Sequence, residues 1–81
     1  MSQEPLKNLH DQLNRLETDN ADMRSRADAL RARVEQAMAD DQHRETLLES
    51  LEEAFVAFES DHPRIATAIR QAIDVLSTSG I

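Results

Sequence analysis

Leu6, Leu9, Leu13 and Leu16 recur at alternating spacings of three and four, the a/d pattern of a packed helical seam. With Leu6 as position a, the count runs on through Asn20 (a), Met23 (d), Ala27 (a), Leu30 (d), Val34 (a) and Ala37 (d). Pro5 fits the first helical turn, where its missing N–H costs nothing. The count predicts a helical arm over residues 5–39. At Thr18-Asp19-Asn20 the helix either runs through, with Asn20 as a polar a residue that fixes register, or stops and restarts on a side-chain cap. The continuous helix is the primary expectation.

Asp40 and Asp41 break the stripe, predicting a turn over residues 39–43 and a cap for the helix after it. The second arm spans residues 43–78. Counted in unbroken sevens, Leu48 and Phe55 fall at a, and Leu51 and Phe58 at d. Pro63 disfavours a helix interior, which predicts a break at residues 60–63 with Ser60 or Asp61 as cap. Ile65 (d), Ile69 (a), Ala72 (d) and Leu76 (a) keep the same count, which argues for a kink between nearly collinear helices. Gly80 is the expected stop. The predicted fold is all-α: one domain over residues 1–81, an antiparallel, coiled-coil-like helical hairpin kinked at Pro63.

Charge adds direction. Arg24 and Arg31 fall at e and Arg26 and Arg33 at g; Glu45, Glu52 and Glu59 fall at e, and Asp61 at g. In an antiparallel pair e faces e and g faces g. A fold at residues 41–43 would therefore set Arg31 near Glu52, Arg24 near Glu59, and Arg26 near Asp61. The same fold sets Ala27 with Phe58, Leu30 with Phe55 and Val34 with Leu51, and farther out Leu16 with Ile69, Leu13 with Ala72 and Leu9 with Leu76. Ala66 and Ile73 at e, and Ala68 and Val75 at g, widen the apolar face of the last helix beyond one partner. Burying that face predicts a homodimer of four-helix form, with Ile65, Ile69, Ile73, Val75, Leu76, Leu9 and Leu13 at the interface.

Composition narrows the function. The chain has 81 residues, no Cys, no Trp, no Tyr and a single Gly, which suits long helices and leaves oligomerisation as the usual stabiliser of so small a core. Net charge is −7, and residues 40–61 hold eight acids against one base, Arg44. That balance opposes nucleic-acid binding, which runs on phosphate neutralisation. The start, Met-Ser-Gln-Glu-Pro, has no positive region followed by an apolar run, and no stretch reaches membrane-spanning length. A soluble cytoplasmic protein with no membrane partner is the expectation.

No glycine-rich phosphate loop, nucleophile elbow or zinc spacing is present. Glu59 and His62 match the Glu-x-x-His spacing of di-iron bundles, but His62 adjoins Pro63 at a helix break, and capping is the better account. His10 reads as a surface histidine. No catalytic residue, metal ligand, cofactor or small-molecule substrate is expected.

The stretch Leu47 to Ile81 resembles the domain of unknown function 4404 family through Leu51-Glu52, Ala54, Phe58-Glu59, His62-Pro63-Arg64 and the ending Gly80-Ile81. Asp61 stands where that family has Ser, and both residues can cap. The resemblance implies a small bacterial protein and transfers no catalytic residue. The expected function is a non-enzymatic, self-associating helical interaction module. The alternative is an acidic decoy or chaperone-like binder of a basic protein, using Glu45, Glu49, Glu52, Glu53 and Glu59.

Overall fold

Helix α1 (Glu4–Asn14) is followed by six residues, 15–20, outside any helix. In the computed structural model, which describes residues 4–78, the continuous first arm gives way to two helices. Thr18 Oγ1 accepts from the Asn20 N–H at 3.1 Å. Asn20 Oδ1 in turn accepts from the N–H groups of Asp22 at 2.9 Å and Met23 at 3.3 Å. Asn20 is therefore the N-cap of α2 (Ala21–Ala39), with extended φ and ψ, and not a polar a residue inside a helix. Short polar side chains that bond to nearby backbone stop a helix more effectively than an unbroken count propagates it.

The chain turns between α2 and α3. Asp40 closes α2 through its N–H to the Gln36 carbonyl at 2.9 Å, and its carboxylate accepts from the Gln42 N–H at 3.0 Å. A 3₁₀ turn, Asp41–His43, leads into α3 (Arg44–Glu59). Helix α4 (Pro63–Thr78) follows after three residues. The first bond of α4 runs from the Ala66 N–H to the His62 carbonyl at 3.0 Å. Neither Ser60 nor Asp61 caps α4 by its side chain. Gly80, the expected stop, lies outside the described residues.

Pro63 reverses the chain; the near-collinear kink does not occur. Two sixteen-residue helices end to end would span about 48 Å, yet the longest dimension of the fold is 39 Å. Helices α3 and α4 instead lie side by side and form the most extensive pairing in the chain. His10 meets Glu35, and Asn14 meets Arg31, so α1 and α2 run antiparallel. Helix α2 packs on α3, and α1 packs on α4, while the diagonal pairs α1/α3 and α2/α4 stay apart. The result is an up-down-up-down ring of four helices. Its radius of gyration, 11.7 Å, is that of a compact domain of this length.

The core lies along the axis of the ring. Leu6, Leu9, Leu13 and Leu16 meet Met23, Ala27, Leu30, Val34 and Ala37, and the a/d positions Ile65, Ile69, Ala72 and Leu76 are buried as the count requires. Helix α3 departs from it. Leu47, at g, is fully buried with Leu51 and Phe58, whereas Leu48 and Phe55, both at a, are only partly covered. With a neighbour on each side, α3 turns its d/g edge to the centre and its a positions toward α4. Among the described residues, no helix is long and apolar enough to cross a membrane.

Candidate interaction surface

The face assigned from sequence to a second copy is filled by the chain itself. Leu9 and Leu13 of α1 and Ile65, Ile69 and Leu76 of α4 are buried in the single chain, where α1 and α4 pack together. Ile73 and Val75 flank that seam and are half-buried. The α1–α4 pairing foreseen from the register is present, and α3 covers the width that one helix could not.

The proposed charge pairs do not form. Arg31 donates to Asn14 Oδ1 at 2.6 Å and lies 3.9 Å from Asp28 of its own helix. No ion pair within 4 Å links Arg31 to Glu52, Arg24 to Glu59 or Arg26 to Asp61 among the described residues. The cause is the ring. In a two-helix hairpin both e rows border one seam. Here the e row of α2 borders α1, as Arg31 does, and the e row of α3 borders α4, as Glu59 does.

What remains outward is the acidic side of α3. Glu45, Glu49, Glu52, Glu53 and Glu59 are all exposed, and no ion pair engages them among the described residues. Val56 stands among them, 73% exposed, the one large apolar side chain so placed among the described residues. Beside it, between α3 and α4, runs an open groove of about 280 Å³ lined by Phe55, Glu59, Pro63, Ala66, Thr67 and Arg70. Val56 escaped the sequence reading because it falls at b, off the seam. An apolar, β-branched residue at an outward position was the signal.

The Phe58-Glu59 and His62-Pro63 steps form the corner between α3 and α4. Phe58 fills the core, and the His62 ring stands edge-on to it at 5.9 Å between centroids, so His62 packs and Glu59 faces out. No group of three or more His, Asp or Glu side chains among the described residues is close enough to hold a metal. The family model for the domain of unknown function DUF4404 matches residues 3–81. The chain belongs to the DUF4404 family. No curated protein and no solved structure matches it.

Two further grooves mark the DUF4404 chain. Arg26 and Arg33 of α2 face Ser50 and Glu53 of α3 across the second. The third, about 450 Å³, lies where the non-helical linker after α1 meets the α3–α4 corner; there Arg15 and Arg64 are offset by Glu17 and Asp61. Its balanced charge selects for neither anion nor cation. The outward side of α3 in this DUF4404 protein carries an excess of acidic side chains.

Proposed function

We propose that this DUF4404 protein is a non-enzymatic helical interaction module that engages a basic protein through the outward face of α3. The carrying observation is that Glu45, Glu49, Glu52, Glu53 and Glu59 stand exposed with no ion pair among the described residues, while Arg31 of α2 turns to Asn14. A scaffold that used Arg24, Arg26 and Arg31 to consume this charge internally would leave little for a partner. The absence of that pairing favours the acidic binder over the purely self-associating scaffold. Such binding draws its rate and specificity from complementary potential and weakens with salt.

A pull-down from native cell extract with the wild type and with Glu49→Lys/Glu52→Lys/Glu53→Lys tests this. Basic proteins retained at low salt, and lost on charge reversal with helicity intact, are the expected result. Retention indifferent to both salt and charge would remove the proposal.

Self-association is a second reading, moved from α4 to α3 by one observation: Val56 offers exposed apolar surface beside the half-buried Phe55. Light scattering against concentration should then show a dimer that Val56→Glu abolishes.

A further inference from the structure

We infer that the α3/α4 groove anchors an apolar side chain of a basic amphipathic helix in the partner, with the cations of that helix facing Glu52 and Glu59. This rests on the acidic-face reading and names the chemistry of its partner. The groove has a small floor, because Ala66 is buried where a larger residue would close the gap. Phe55 forms one wall. Pro63 forms part of the other and contributes no N–H donor. The Thr67 hydroxyl is engaged with the Pro63 carbonyl at 3.0 Å, and the Arg70 guanidinium lies 3.9 Å from Asp74 farther along α4. Thr67 and Arg70 at the rim therefore already have partners, which leaves Glu59 as the charged group that faces an occupant.

The groove, about 280 Å³, is open to solvent and not an enclosed cavity. A helix laid in a groove needs only room for anchors at i, i+3 or i+4, and i+7. Charge selects the sign of that helix. Glu45, Glu52 and Glu59 recur every seven residues along the α3 side. Seven residues rise about 10.5 Å in any helix, so a partner helix with Lys or Arg at heptad intervals meets these carboxylates in register. A second copy would bring the same acidic row against itself.

The probe is a capped helical peptide with Leu at a and d and Lys at e and g, labelled with fluorescein. A scrambled peptide of identical composition is the control, and both are titrated with the whole protein by fluorescence anisotropy. The amphipathic peptide should bind at least tenfold tighter than the scramble. Thr67→Arg places bulk and a cation in the groove from an exposed position and should weaken it at least tenfold. Ala32→Arg, exposed on α2, which does not touch α4, makes the same charge change and should leave most of the affinity. Circular dichroism of both variants guards against lost folding. Equal binding of the two peptides, or equal loss from the two variants, overturns the groove and leaves the acidic surface standing. Failure of both peptides to bind at low salt overturns the acidic-face reading as well. A dimer in light scattering that Thr67→Arg dissolves would make the occupant a second copy and overturn the inference.

Discussion

Phe58 and Phe55 are the two aromatic residues of the chain, three positions apart, with opposite fates. Phe58 is fully buried and Phe55 half-buried at the groove. Phe58→Ala should cost about 3–5 kcal/mol, a large share of the ~5–15 kcal/mol usual for a domain. Phe55→Ala should cost clearly less. Urea titration of both variants by circular dichroism checks the order, and equal losses would place the core elsewhere. Asn20 offers a second discrimination. In a continuous helix, Asn20→Leu would fill an a position and raise stability. As the N-cap, Asn20 satisfies two N–H groups, so Asn20→Leu should lower stability by ~0.5–2 kcal/mol while Asn20→Asp changes little. The same urea titration reads both.

Between elements, the decisive contacts are side chains that choose a neighbour. Arg31 sits between α1 and its own helix, so a double-mutant cycle of Asn14→Ala with Arg31→Ala should show coupling of a few tenths to ~1 kcal/mol. Arg31→Glu with Glu52→Arg should show none. Coupling of the second pair and not the first would restore the two-arm arrangement. These helices show how far the sequence was legible. Unbroken sevens placed the a and d residues of α1, α2 and α4 on buried faces, because burial demands that period whatever the number of neighbours. Direction was legible too: α2 against α3 at the Asp40 turn, and α1 against α4. The number of neighbours was not, because a heptad count carries no record of whether a break bends the chain or reverses it. Leu47 at g and Phe55 at a exchanged roles for that reason. The candidate surface was legible in its acids, which need only exposure, and illegible in its groove, which exists only once α4 has folded back on α3.

For the molecule as a whole, closure within one chain is the central property. Small-angle scattering should give a radius of gyration close to 11.7 Å plus a hydration shell. Two extended arms of about 50 Å would give roughly 15 Å, and a value there would sink the four-helix ring. The ring also has an unequal seam. Three of its four helix pairings join neighbours in sequence, and only α1 with α4 closes across the whole chain. Helix α1 is the shortest, eleven residues, tied on by a non-helical linker. Local hairpins form early because little loop entropy opposes them. The chain should therefore assemble α2, α3 and α4 first and dock α1 last. In the native state the reverse step should be the first to open. Amide hydrogens of α1 are expected to exchange through a partial opening of lower free energy than those around Leu51 and Phe58. Such an opening briefly bares Ile65, Ile69 and Leu76, so the moments when this protein is most prone to aggregate are those when its first helix has let go.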